Sequence, residues 1–312
     1  MITNDLEKVC HALLKEENVI IPTETVYGLA GLATSHKAIE SIYFLKKRPS
    51  WNPLILHGAA HEVFHPFVVW NKWAEQLAKA FWPGPITFIL PKSTGASLLS
   101  PYLSSEQSTL AIRVPRHPVC LALLKHMPSP IAAPSANPFM AISPTNSSMA
   151  QGYFPNISVL EGGSCCVGVE STIVDLSGHT PCILRHGAIE ASMMEEVLQT
   201  SVKEASALAA IKIIAPGMSR RHYAPSKPLR MNVEKPKEHE AFIAFGTNYF
   251  SPFPVYYNLS EKGHVEEAAS KLFFALNACD KDPSVESIAV APIPCEGIGK
   301  AINDRLKRAS AV

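Results

Sequence analysis

From Gln107 to Leu160 the chain contains no aspartate or glutamate, although 27 such residues occur among its 312. The same stretch holds Arg113, Arg116 and Lys125, and the turn Ala133-Pro134-Ser135-Ala136-Asn137-Pro138. Arginines in an acid-free segment beside a hydroxyl- and amide-rich turn suit a ligand that brings its own negative charge, such as a polyphosphate or a carboxylate. An apolar core segment with few acids would look the same, so composition alone leaves both readings open. Other absences narrow the class. No apolar run approaches the roughly 20 residues that span a bilayer. Met1–Lys15 is polar and helical in pattern, without signal-peptide or arginine-rich presequence character, which predicts a cytoplasmic protein with no membrane contact. There is no Cys-x-x-Cys pair: seven cysteines lie scattered, two of them adjacent at Cys165-Cys166, as in a reduced protein rather than a disulfide framework. No Gly-x-x-x-x-Gly-Lys-Ser/Thr phosphate loop occurs, so any ATP must be held by another architecture. Gly297-Ile298-Gly299 lacks the third glycine and the strand-to-helix lead of a dinucleotide fingerprint. Basic excess is missing too. With 28 Lys and Arg and a net charge of +1, any RNA contact should be local.

What is present is a chain with 47% hydrophobic and 18% charged residues, long enough for two domains. Leu6, Val9, Cys10, Leu13 and Leu14 follow helical spacing, with Asn4 and Glu7 as a capping pair. Val19–Ile21, Leu54–His57, Ile86–Leu90, Leu110–Val114, Thr172–Leu176 and Cys182–Arg185 read as strands, and Ser35 caps a helix through Tyr43. Strands mixed with helices, without a clean βαβ repeat, predict an α/β fold with a mixed twisted sheet and flanking helices. Ala191–Val202 reads as a helix and Ile211–Ile214 as a strand, followed by the linker-like run Ala215–Pro225. Beyond it, strands Ala241–Phe245 and Ser287–Ala291 alternate with helices over 265–276 and 301–309, a small Rossmann-like α/β unit. The division expected is 1–205, a linker or lid over 206–235, and 236–312.

His61-Glu62-Val63-Phe64-His65 matches a zinc-protease pattern, but that pattern needs a helix through the second histidine, and Pro66 disfavours one. No metal site is expected there. A different set of stretches carries the chemistry. Pro22-Thr23-Glu24-Thr25-Val26-Tyr27-Gly28-Leu29 ends a strand in hydroxyls, and Lys46-Lys47-Arg48-Pro49-Ser50-Trp51-Asn52-Pro53-Leu54-Ile55-Leu56-His57 is a basic turn feeding a strand that ends in histidine. In order after them come Thr109-Leu110-Ala111-Ile112-Arg113, Pro134-Ser135-Ala136-Asn137, Gly168-Val169-Glu170-Ser171-Thr172 and Ile183-Leu184-Arg185. Taken singly, Thr25 or Ser171 could cap a turn, Arg185 could be a solvated surface arginine, and His57 could be an edge histidine. As an ordered set they resemble the YrdC-like family of threonylcarbamoyl-AMP synthases across residues 3–200. Gly217–Pro225 and the C-terminal unit resemble that family's longer, two-domain form.

The resemblance implies that L-threonine and bicarbonate or carbon dioxide give N-carboxy-threonine, whose carboxylate attacks the α-phosphorus of ATP. Pyrophosphate leaves, and threonylcarbamoyl-AMP remains for the modification of adenosine in tRNA. By matching position, Lys46 and Arg48 form the catalytic cationic clamp. Arg48, Asn52, Thr109, Asn137, Thr145, Arg185 and Tyr223 contact ATP, and Thr25, His57, Arg113, Ser135 and Ser171 hold L-threonine. Magnesium arrives with the nucleotide. A tRNA or double-stranded RNA contact and the downstream threonylcarbamoyl transferase are the macromolecular partners implied, and a non-catalytic double-stranded RNA-binding module is the alternative. Arg220-Arg221-His222-Tyr223 could fold over bound nucleotide and shield a carbamate and a mixed anhydride from water. Two stretches depart from the family pattern: Trp51 beside Asn52, and Phe139-Met140-Ala141 before Ser143-Pro144-Thr145.

Overall fold

The computed structural model describes residues 1–104, 107–205, 221–247 and 256–311. The larger of its two sheets has eleven strands among the described residues, mixed in direction as expected. Its middle runs Val19–Ile21, Gly28–Leu32, Ile131–Ala132, Ile55–His57, Thr109–Arg113, Ile86–Pro91 and Thr172–Asp175. These strands are short and nearly all buried, because helices and loops cover both faces. Register does the positioning. Ile55–His57 lies parallel to Thr109–Arg113 with His57 opposite Arg113, so both side chains emerge together on one face of the sheet. Gly28 bridges to Ser135, so the turns after Ile21 and around Ser135 lie toward the Ile55 end of these strands. The pairing of Ile86 with Thr172 sets the turn before Thr172 at the Arg113 end, and the site lies between them over one face of the sheet.

The second sheet, Leu229–Arg230, Ser287–Val290, Glu240–Ala244 and Tyr256–Asn258, is wholly parallel and is flanked by the helices Val265–Lys281 and Gly299–Ala309. It does not stand apart. One apolar cluster joins Val26, Ile142, Met149 and Val169 of the first unit to Tyr223, Leu272, Phe273, Leu276 and Ile302. At the seam Gly168 takes φ +76°, and a Cβ there would come within 2.4 Å of the Ala269 carbonyl oxygen and the Ser270 Cα. Only glycine lets this loop lie directly on the helix backbone.

Several local expectations are corrected. The first helix, Leu6–Leu14, is capped by Asp5, whose carboxylate accepts from the Lys8 amide, and not by Asn4. The helix from Ala191 stops at Leu198 because Gln199 turns left-handed. Gly297-Ile298-Gly299 does lead from a strand, Ser287–Val290, into a helix opening at Gly299. The helices Lys72–Phe81, Pro118–Lys125 and Ser147–Tyr153 and the strand Gly28–Leu32 were not anticipated. Ile211–Ile214 and Gly217–Arg220 lie outside the described residues.

Gly168→Ala should destabilise the protein by about 2–4 kcal/mol, from a left-handed backbone and an overpacked contact acting together. Denaturant midpoints of the variant and the wild type measure this directly. An unchanged midpoint would mean that loop and helix separate freely.

Candidate active site

Over the sheet face that Ile55, His57 and Arg113 share lies a pocket bounded by Thr25, Arg48, His57, Arg113, Ser135, Ser171 and Arg185 of the anticipated set. Glu170, His222 and Tyr223 close it from the loop and linker side. Each polar group is fixed by the element that delivers it. Thr23 Oγ1 gives its proton to the Val26 carbonyl at 2.6 Å, so the Thr25 hydroxyl, 2.9 Å away, donates to Thr23. Thr25 Oγ1 in turn accepts from Arg113 Nη1 at 2.9 Å. Arg113 Nε holds the Gly84 carbonyl at 3.2 Å, and Nη2 lies 2.8 Å from Glu24 Oε1, both residues being buried. Neither Glu24 oxygen makes an aligned hydrogen bond, so this is an ion pair in position without the added directional bond.

His57 is buried, and its Nδ1 sits 3.1 Å from the Ile55 carbonyl, which requires Nδ1–H and leaves Nε2 as an acceptor. Burial, and then the charge of Arg113, push its pKa down to about 3. The ring is therefore a neutral acceptor at physiological pH and a poor base. Arg185 Nε donates to the Ser171 carbonyl at 3.1 Å and Nη2 to Ser171 Oγ at 3.1 Å, while Ser171 Oγ lies 2.8 Å from Thr87 Oγ1. Arg48 is held through Nε to the Asn52 carbonyl at 3.1 Å and through Nη2 to Asn52 Oδ1 and the Pro53 carbonyl, each at 2.7 Å. Its pKa falls to about 10, chiefly through burial.

Other anticipated residues stand behind the cavity wall. Lys46 is buried, and its ammonium donates to the carbonyls of Ser135 (2.6 Å) and Asn137, bracing the loop on which Ser135 sits. Burial holds its pKa well below the usual lysine value, with Arg48 adding to the effect. Asn137 Nδ2 ties the same loop to the carbonyls of Pro138 and Ala141, both at 2.9 Å. Thr145 Oγ1 faces the Met149 sulfur at 3.7 Å, and Thr109 borders a neighbouring cavity with Pro53 and Tyr102. Trp51 points to solvent. The unusual Phe139-Met140-Ala141 loop receives the linker: the Ala224 amide donates to the Met140 carbonyl at 2.9 Å, and the Arg48 guanidinium lies 5.9 Å from the Phe139 ring centroid.

Sequence reasoning missed three charged residues. Glu24 and Glu170 stood inside recognised stretches without a role. Arg305 had one legible signal, since it falls within the buried stripe Ala301, Ile302, Leu306, Ala309, where an arginine must find a partner. The partner is Glu170, and the side chain is completely buried. His61-Glu62-Val63-Phe64 forms a 3-10 turn rather than an α-helix, with His61 Nδ1 3.3 Å from His65 Nε2. Among the described residues no group of three or more His, Cys, Asp or Glu side chains could hold a metal ion, and no helix is long and apolar enough to cross a membrane.

The depressed His57 pKa makes the fold acid-sensitive. Below about pH 6.5 the unfolded chain takes up a proton that the native ring refuses, so stability present above that pH is lost as pH falls toward 3. His222, held low by burial and then by Arg48 and Lys46, adds to the effect with the same sign. Denaturation between pH 7.5 and 5 should show His57→Gln losing less stability on acidification than the wild type, by up to about 1.4 kcal/mol per pH unit. Equal pH slopes would contradict the burial of a neutral ring.

Two family profiles cover the chain: telomere recombination (Sua5, YciO and YrdC) over residues 11–187, and the threonylcarbamoyl-AMP synthase C-terminal domain over 189–311. A threonylcarbamoyl-AMP synthase of Pyrococcus abyssi is 36% identical, spanning 94% of this chain and 90% of its own. One of Bacillus subtilis is 34% identical, spanning 99% and 94%. The crystal structure of Pyrococcus abyssi Sua5 complexed with L-threonine superposes with a TM-score of 0.89 at 32% identity, covering 99% of this chain and 97% of that one. With both profiles in order and relatives matched nearly end to end, the chain belongs to the Sua5 and YrdC family of threonylcarbamoyl-AMP synthases, in its two-domain form.

Proposed function

We propose that this protein is an adenylyl-transferring enzyme that converts L-threonine, bicarbonate or carbon dioxide, and ATP into threonylcarbamoyl-AMP and pyrophosphate, for threonylcarbamoyl-adenosine modification of tRNA. The observation that carries this reading is a charge surplus: Lys46, Arg48, Arg113 and Arg185 are buried around one cavity, while the two buried carboxylates there among the described residues are already engaged, Glu24 by Arg113 and Glu170 by Arg305. Buried cations in excess call for an anionic ligand. Buried atoms without hydrogen-bond partners, Asn52 Nδ2, Asn137 Oδ1, His222 Nδ1 and the Tyr223 hydroxyl, offer it further contacts. A double-stranded RNA module would need its cations on the surface, where a phosphate backbone can reach them.

In this scheme Arg113, Thr25, Ser135 and Ser171 receive threonine, and the His57 Nε2 lone pair accepts from its amino group. The amino group first gives its ammonium proton to water, and the amine nitrogen then bonds to the carbon of carbon dioxide and releases a second proton to water. A carbamate oxygen attacks the α-phosphorus while the bond to the β-phosphate oxygen breaks and pyrophosphate leaves. Arg48 and Arg185, with Asn52, Thr109, Asn137, Thr145 and Tyr223, hold the nucleotide, and Lys46 keeps the Ser135–Asn137 loop in place while adding positive potential. Both Glu170 oxygens already have partners and Glu24 faces Arg113, so a magnesium ion would come with the nucleotide and offset phosphate charge rather than be held by these carboxylates. Residues 1–205 form the catalytic unit, 206–235 the linker and lid, and 236–312 the small Rossmann-like unit. A tRNA contact, delivery to a threonylcarbamoyl transferase and a cytoplasmic location belong to the same reading.

Pyrophosphate release should require both L-threonine and bicarbonate. Equal release with serine, alanine or no amino acid would sink the reading. Arg113→Ala should weaken threonine binding by about 2–5 kcal/mol while largely sparing ATP. Because it also strands Glu24, its folding should be checked against Glu24→Gln/Arg113→Ala. Arg48→Ala should do the reverse, and equal loss of both ligands in both variants would abolish the division of roles. Tyr223→Ala should leave a folded protein that releases pyrophosphate slowly or lets the intermediate hydrolyse. Full coupling of ATP consumption to product in that variant would remove the lid from the mechanism.

A further inference from the structure

The arginine that the last helix sends to the cavity has no part in the scheme above. Arg305 Nε donates to Glu170 Oε2 at 3.0 Å, Nη2 reaches the Glu170 carbonyl at 3.5 Å, and Nη1 holds Asp304 Oδ2 at 3.0 Å. Its guanidinium carbon lies 5.2 Å from the centroid of the Tyr223 ring, within cation–π range. The other Glu170 oxygen accepts from Ser143 Oγ at 2.5 Å. One cavity-lining carboxylate is thus held between the two units of the chain, and the same cation that holds it also supports the linker tyrosine.

The arrangement answers an electrostatic problem. Glu170 faces the cavity that must admit a triphosphate, and it directly precedes Ser171, which Arg185 grips through both backbone and side chain. The charged and titratable groups around it are Lys46 from the helix His36–Lys46, Arg185 from the strand Cys182–Arg185, Tyr223 from the linker, and Arg305. Without Arg305 the cations among the described residues left to neutralise the carboxylate are Lys46 and Arg185, which the nucleotide needs, or it would stand bare toward the phosphates. Lys46 is already committed to two carbonyls, and Arg185 to Ser171.

We propose that Arg305 is a positioning residue for the transfer reaction, holding Glu170 from the C-terminal unit so that the cavity cations remain available to ATP, and seating Tyr223 over the same loop. The proposal rests on the nucleotidyl-transfer reading and deepens it: the C-terminal unit contributes a charge to the reaction site. A purely structural staple would also link the two units, but it would not depend on the charge of Glu170. That dependence is what separates the two.

The test uses the full chain with Arg305→Met, Arg305→Lys, Glu170→Gln and Arg305→Met/Glu170→Gln, measuring pyrophosphate release for KM and kcat and titrating a non-hydrolysable ATP analogue calorimetrically. Arg305→Met should weaken ATP by about tenfold or more, since truncating one partner of a buried charge pair strands the other. It should affect the threonine KM much less. Adding Glu170→Gln should restore most of the ATP affinity, and Arg305→Lys should fall between wild type and Met. A folded double variant as impaired as Arg305→Met overturns the proposal, as does wild-type behaviour of Arg305→Met. Should Arg305→Met fail to fold, the double variant and Arg305→Lys decide the matter by the same criterion. If the wild type releases no pyrophosphate, the functional reading fails, while analogue binding across the same variants still reads the Arg305–Glu170 coupling.

Discussion

Lys46, Arg48, Arg113 and Arg185, four cations buried around one cavity, form the constraint to which the rest of the molecule conforms. Like charges out of water repel and lose hydration, so the arrangement persists only if the cations are given partners, and beyond the Arg113–Glu24 pair the partners described above leave their charge uncancelled. Backbone carbonyls serve that purpose. Lys46 is satisfied by Ser135 and Asn137, Arg48 by Asn52 and Pro53, Arg113 by Gly84, and Arg185 by Ser171. A carbonyl dipole stabilises a cation while leaving its net charge to act on a ligand. The short strands and proline-rich turns follow from this, since they aim carbonyls that regular ladders would otherwise consume. The free protein is less stable than its charge-balanced equivalent would be, and an anion in the cavity recovers the difference.

Most of the first unit's site was legible because its residues cluster in short ordered stretches at strand ends. Thr25, Arg48, His57, Arg113, Ser135, Ser171 and Arg185 do meet at one cavity. The roles of Lys46, Asn137 and Thr145 could not be read at that level, because a motif match does not reveal whether a side chain faces the ligand or braces the loop that does. Glu24 and Glu170 were hidden for a related reason: a carboxylate's function here depends on a partner more than eighty residues away in sequence. Gly28–Leu32 escaped notice because two glycines in five residues depress strand propensity, and only its central place in the sheet overrides that. Lys72–Phe81 did carry its signal, in Asn71, whose side chain accepts from the Ala74 amide.

The linker's described part also departs from its sequence appearance. Arg221-His222-Tyr223 reads as polar, yet His222 and Tyr223 are buried, with their rings 4.0 Å apart and Tyr223 stacked on Phe273 at 5.6 Å. Tyr223 adopts φ +60°, a conformation that a bulky residue takes only when its surroundings enforce it. A covering segment held in this way stores strain that favours release once its contacts weaken.

The seam at Gly168 has a consequence for how such a chain can change over time or by design. The loop meets the helix Val265–Lys281 through backbone atoms, the Ala269 carbonyl and the Ser270 Cα, rather than through interdigitated side chains. At that point the outward surface of the helix can be rewritten residue by residue without altering the fit, whereas the loop tolerates no added carbon. A C-terminal unit grafted from a distant relative would therefore have to reproduce this close backbone approach as well as the apolar seam of Leu272, Phe273 and Leu276.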